Sequence, residues 1–131
     1  MALKSQAGTR AMLDAINGLA DNGTLVFYSG AVPGTADAAA GTVLGTLTLG
    51  VSAFNPSTGT TTASADLAGT PISVAAGADG TPTYARLLTS GDATIQQYTV
   101  GAGQEITFDD YTWVTGGTIN LTSLTTTLPV A

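Results

Sequence analysis

Thr24-Leu25-Val26-Phe27-Tyr28-Ser29, closed by Gly23 on one side and Gly30 on the other, is the stretch from which the fold is read. It is a compact apolar and aromatic run of strand length, bounded by residues that break regular structure, and it predicts a buried β-strand.

Upstream of it lies the one helical pattern. From Thr9 to Ala20 the apolar residues Met12, Leu13, Ile16, Leu19 and Ala20 recur at three- and four-residue spacing, which gathers them on one stripe of a helix. Thr9 is the expected N-cap, and Asn22-Gly23 supplies a left-handed stop. Gly18 weakens the helix by up to ~1 kcal/mol relative to alanine. A short amphipathic helix of this kind needs a partner surface, either its own sheet or a neighbouring subunit.

Downstream the pattern changes to strands and turns. Residues 31–41, with Pro33-Gly34, read as a loop, and Thr42 to Leu49 alternates apolar residues with Thr and Gly as a half-buried strand does. Asn55-Pro56-Ser57-Thr58-Gly59 is a turn, and Thr60 to Asp66 fits either an edge strand or a loop. Strands are expected at Pro71 to Ala75, Thr83 to Thr89, Ile95 to Val100, Glu105 to Phe108 and Thr118 to Leu128, the last stopped by Pro129. Tyr111 to Val114 is a brief aromatic piece. One helix followed by seven or eight short strands, with turns every 8 to 12 residues, predicts a mainly β fold: a β-sandwich, jelly-roll-like, with a short N-terminal α-helix. At 131 residues the chain forms one domain, 1–131, with a helical segment at 1–22 and the sandwich at 23–131.

Charge narrows the function. Only 9% of positions are charged, against roughly 25% in an average soluble domain, so the surface must be wetted by hydroxyls and backbone. The 24 threonines serve that purpose. Charge normally keeps copies of a protein apart, so neighbouring protein is an expected environment for such a surface. A net charge of −6, with Lys4, Arg10 and Arg86 the only cations, argues against nucleic acid and against an anionic membrane surface. No apolar run approaches the ~20 residues that span a bilayer. Residues 1–8 lack the apolar core of a secretory signal.

Chemistry is scarce as well. Without His or Cys, and with one Lys, the usual nucleophile and base pairs of acyl transfer cannot be assembled. Paired-carboxylate hydrolysis would have to use Glu105 with Asp109 or Asp110, with Trp113 and Tyr111 stacking a sugar. Surface carboxylates are mostly just solvated, so no catalytic residue is assigned. Asp109-Asp110 has no calcium-loop spacing, and the glycine-rich turns lack the strand-to-helix setting of a phosphate cradle, so no metal or cofactor is expected. Arg86, beside Tyr84, is expected to pair with a carboxylate of its own fold or of a neighbour.

The short helix, then Leu25-Val26-Phe27-Tyr28-Ser29-Gly30, the Pro33 loop with Ala36-Asp37-Ala38-Ala39, and Gly41-Thr42-Val43-Leu44-Gly45-Thr46-Leu47 together resemble small virion proteins of tailed bacteriophages. Thr83-Tyr84-Ala85-Arg86-Leu87-Leu88 resembles a strand of theirs that carries an aromatic and an Arg, and the chain closes, as theirs do, on a Thr-rich strand and Pro129. The resemblance covers most of the chain and departs from the family at Thr60 to Ala78. It implies a capsid decoration or cement protein: a homotrimer on the virion surface that binds the major capsid protein and bridges its subunits. A tail, tail-fibre or head-tail component shares the same character, and a carbohydrate-binding module built on Trp113 and Tyr111 is a further alternative. The residues expected to carry protein contacts are Met12, Ile16, Leu19, Tyr84, Arg86 and Trp113.

Overall fold

A computed structural model describes residues 5–36, 41–58, 62–68 and 72–129. Its first element, α1 (Gln6–Gly18), begins earlier than the apolar pattern does. Ser5 is the N-cap, its Oγ accepting the Gly8 N–H at 3.0 Å. Thr9, the expected cap, lies within the helix and donates its hydroxyl to the Ser5 carbonyl at 2.8 Å. Capping depends on a side-chain oxygen three residues ahead of an orphan N–H, and Ser5 supplies it one turn before Thr9. The stop is where the sequence puts it: Asn22 has φ 61°, and the Gly23 N–H donates to the Ala20 carbonyl at 2.8 Å.

Eight strands follow among the described residues: β1 (Thr24–Ser29), β2 (Thr42–Thr48), β3 (Thr62–Asp66), β4 (Ile72–Ala75), β5 (Tyr84–Leu88), β6 (Thr94–Thr99), β7 (Ile106–Phe108) and β8 (Thr118–Pro129). They form two antiparallel sheets. The first has the order β2-β1-β5-β6. The second is organised around the long β8, which pairs with β4 through Thr118–Leu121, with β7 through Leu121–Leu124 and with β3 through Thr125–Pro129.

The register of β1 shows how the core is made. Leu25 lies opposite Leu87, and Phe27 opposite Ala85, while the alternate pairs are Val26 with Arg86 and Tyr28 with Tyr84. Because strand side chains alternate between faces, the first set points to the second sheet and the other set away from it. Leu25, Phe27, Leu44, Ala85 and Leu87 meet Val74, Ile106, Ile119, Leu121 and Leu124 in one apolar layer between the sheets. Each such side chain contributes ~1.5–3 kcal/mol when fully buried. Within this layer Phe27, Phe108 and Trp113 contact one another edge-on or tilted, with ring centres 5.2–5.5 Å apart.

The outer face of the first sheet is covered too, which is why β1 is apolar throughout. Val26, Tyr28 and Tyr84 form a second apolar cluster there. The β1–β2 connection is tied down over this side: Thr83 Oγ1 donates to the Gly30 carbonyl at 2.7 Å, Gln97 Nε2 to the Pro33 carbonyl at 2.9 Å, and the Gly41 N–H to Tyr84 Oη at 2.6 Å.

Of the ambiguous stretch at 60–66, residues 60 and 61 lie outside the described residues and Thr62–Asp66 forms β3, whose small residues have a use. The helix packs against β3 and β8, with Leu13 seated on Ala65 and Phe54. Tall side chains there would hold the helix off the sheet. Tyr111 to Val114 forms no strand; Trp113 and Gly80 exchange main-chain hydrogen bonds at 2.8 and 3.0 Å in an isolated bridge.

Tyr98, on β6, gives the fold a pH limit. It is buried, its hydroxyl donates to Gln96 Oε1 at 2.6 Å, and burial pushes the phenol up to about 12. Stability is therefore expected to hold below the ordinary tyrosine value of about 10 and to fall as the pH rises from there toward 12, by about 2–3 kcal/mol. Urea unfolding at stepped alkaline pH measures this, and Tyr98→Phe should reduce the loss.

Candidate functional site on the N-terminal helix

Residues on a helix turn by about 100° each, so positions three and four apart share a face. Thr9, Leu13, Asn17 and Ala20 form the buried row of α1 and its following turn. Met12 and Leu19 lie to one side of that row and are 49% and 57% exposed, with Ile16 half-buried between them. The single apolar stripe read from the sequence is thus split: Leu13 and Ala20 face the sheets, and Met12 and Leu19 face solvent. The inward row includes two polar residues, Thr9 and Asn17, and Thr9 is accommodated there through its hydrogen bond to Ser5.

Other exposed large apolar residues are Val32, Val43, Val51 and Val114, each on a different segment. Scattered exposure of that sort is ordinary, whereas Met12 and the C-cap Leu19, two turns apart on one side of α1 with Ile16 between them, form a patch.

The opposite side of α1 is polar. There the helix and the segment 52–56 enclose an open groove of about 250 Å³, lined by Asp14, Asn17, Asp21, Phe54 and Asn55 among others. Asp14 Oδ1 accepts the Ser57 N–H at 3.0 Å, and Asp21 Oδ1 accepts the Ala53 N–H at 3.0 Å. Ser57 Oγ donates to the Arg10 carbonyl at 3.1 Å, so three bonds fasten α1 and its following turn to residues 53–57. The sequence reading passed over Asp14, Asn17 and Asp21, although their three- and four-residue spacing places them on one flank.

The remaining expected contact residues are interior. Arg86 is 6% exposed, its guanidinium carbon 5.9 and 5.8 Å from the ring centres of Tyr28 and Tyr84, which stack on each other at 5.0 Å. Its Nε donates to Gln97 Oε1 at 3.1 Å, and among the described residues Nη2 has no hydrogen-bond partner. Among the described residues the guanidinium is met by an amide and two aromatic rings rather than by a carboxylate. Tyr84 is fully buried, and Trp113 is 1% exposed. In this conformation none of these three offers a surface to a partner: their residue types read equally well as core or interface, and the covering loop and the second sheet make them core.

The carboxylates around Tyr111 are engaged in turns. Asp109 accepts the Asn120 N–H at 2.9 Å and the Asn120 side-chain amide at 3.0 Å, and the main-chain bond is the chief cause that holds its carboxyl below the usual range. Asp110 Oδ1 accepts the Thr112 N–H at 2.9 Å, and Glu105 Oε1 accepts the Thr99 N–H at 3.3 Å. A general acid needs a raised pKa, and Asp109 moves the other way. With Trp113 in the core, the sugar platform that the alternative reading would build on Trp113 and Tyr111 is not formed.

Comparison with protein-family models, with curated proteins and with solved structures found no match.

Proposed function

We propose that this chain is a structural protein of a bacteriophage virion, seated on the outside of the capsid, where it bridges and stabilises major capsid subunits. The contact is made by Met12, Ile16 and Leu19, and the chain associates with its own copies as a trimer. The observation that carries the reading is the exposed apolar flank of α1, on a helix otherwise anchored to a rigid sandwich. Met12 and Leu19 are already about half covered, so burying the rest of both is worth about 1.5–3 kcal/mol together, and linked copies multiply a modest contact into firm attachment. The charge distribution agrees: Arg86 is interior, while Asp14, Asp66, Asp79, Asp92, Glu105, Asp109 and Asp110 are exposed. Such a surface favours a protein partner over nucleic acid.

The double variant Met12→Ser/Leu19→Ser tests this. Because both side chains already face water, its thermal stability should change little, while its binding to expanded phage shells in a co-sedimentation assay should weaken by roughly a hundredfold per site. Undiminished binding by the folded variant would remove α1 from the contact.

A further inference from the structure

We propose that the outer edge of β2 is a docking strip for a second copy of this chain, which adds its own β2 in antiparallel pairing about Leu47. The contact is separate from the apolar flank of α1, and the inference does not require the assembly to be a capsid.

β2 is a terminal strand of the first sheet. Its residues Gly45 to Thr48 pair with Phe27 to Thr24 without a shift, and the Leu49 N–H donates to the Gly23 carbonyl at 2.9 Å. Antiparallel ladders alternate, so Leu47 and Gly45, at two-residue steps from Leu49, also turn their main-chain groups toward β1. Thr46 and Thr48 turn theirs away. Both residues are exposed, and among the described residues no main-chain group bonds to either from the outer side. The row is closed at its start, where the Gly77 N–H takes the Leu44 carbonyl at 2.8 Å.

Unpaired strand edges recruit other strands unless charge, proline, a bulge or a covering segment guards them. β3 and β6 have such guards. Along β3, Thr58 and Ser64 exchange main-chain bonds at 2.8 Å, and the Asn55 N–H donates to the Asp66 carbonyl at 2.9 Å. β6 carries an irregularity opposite Leu87 and Leu88, and Glu105 Oε1 takes the Thr99 N–H at 3.3 Å. β2 has neither charge nor proline, and no charged residue occurs from 38 to 65.

The occupant follows from main chain and charge. Pairing about Leu47 sets each Thr46 opposite Thr48 of the other copy, so the outward N–H and C=O of both residues are used in both chains. Centring on Thr46 instead would call on Leu44, whose carbonyl is already taken. The threonine side chains then form cross-strand pairs, which favour a sheet. Two copies, each with a net charge of −6, repel one another, and this uncharged strip is where a second copy approaches at least cost. Val43 and Val51, both exposed, stand at the two ends of the open stretch. Antiparallel pairing brings Val43 of each copy to the end that carries Val51 of the other. Such a two-fold contact joins copies in pairs, and so links one trimer to the next instead of building the trimer.

Sedimentation velocity of the whole chain, from micromolar to millimolar protein, tests this together with amide exchange on labelled protein. The sedimenting mass should double with concentration. Exchange at Thr46 and Thr48 should slow by roughly tenfold or more over the same range, while that at Gly45 and Leu47, already bonded to β1, stays constant. Thr46→Lys/Thr48→Lys should fold as the parent does, because both side chains face water, and should raise the dissociation constant by roughly tenfold or more as like charges meet across the two-fold. Thr46→Glu/Thr48→Glu should do the same, and mixing the two variants should restore pairing. Met12→Ser/Leu19→Ser should pair like the parent, whatever its behaviour on shells, so failure of the flank and failure of the edge are distinguishable. A parent of one mass at every concentration, Thr46 and Thr48 exchange independent of concentration, or charged variants that associate undiminished would each overturn the proposal.

Discussion

Replacing Trp113 with alanine is expected to lower the free energy of unfolding by about 3–5 kcal/mol, the range for truncating a large aromatic in a packed core. The side chain is 1% exposed and lies among Phe27, Phe108 and the backbone of β2, so close that a Cβ added to Gly45 would be 3.0 Å from its Cζ3. No other part of the sandwich can collapse into the vacated volume without moving one of the two sheets. Against a typical total of ~5–15 kcal/mol for a domain, that loss is a large share. Trp113→Phe should cost much less, since among the described residues the indole Nε1 has no hydrogen-bond partner to lose. Urea unfolding followed by tyrosine fluorescence or circular dichroism measures both. A Trp113→Ala protein as stable as its parent would put the ring on the surface and reopen the sugar-platform reading.

Gly23→Ala should be nearly as damaging, for a steric reason confined to the backbone. A Cβ at this position would overlap the Leu88 carbonyl oxygen and stand 3.0 Å from that of Ala20. Moving away is difficult, because the Gly23 N–H is bonded to Ala20 at 2.8 Å and its carbonyl accepts the Leu49 N–H at 2.9 Å. The junction between α1, β1 and the end of β2 would have to shift, and a loss of about 3 kcal/mol, the upper part of the range for overpacking, is expected. Gly18→Ala is the matching control. Nothing lies within 4 Å of its added Cβ, and it sits at the exposed end of a helix, so it should gain up to ~1 kcal/mol. Thermal melts of the two variants should therefore move in opposite directions.

These two glycines also show which parts of the fold were legible. Asn22-Gly23 reads as a helix stop from residue type alone, because left-handed backbone after a helix is a local preference, and Asn22 adopts it. The same holds for β1, whose length, composition and flanking glycines are local properties, and for the strands at 72–75, 84–88 and 118–129, which lie close to their expected positions. What could not be read was anything set by a distant segment. The apolar spacing of α1 marks a stripe but not how the helix is rotated about its axis, which is decided by the seat that Ala65 and Phe54 offer Leu13. Small residues at 62–66 say little by themselves and become a strand only through pairing with β8. Arg86 and Trp113 looked suited to an interface because a cation and an aromatic residue give no sign in sequence of which face is covered. The β1–β2 connection covers one of them and the second sheet the other. Asn17 passed unnoticed for the same reason: its burial, with no side-chain hydrogen bond among the described residues, is a property of the folded chain.

The helix flank, the nearly cation-free surface and the buried aromatics all bear on one proposition, that the chain works as a subunit of a larger protein assembly on a phage shell. Its most direct test is the number of copies per particle, measured by quantitative mass spectrometry of purified virions against the major capsid protein. The expected result is hundreds of copies, in a fixed ratio to that protein and retained through washing at moderate salt. A dozen copies or fewer would place the chain at the tail, and its absence from purified particles would contradict the virion reading altogether.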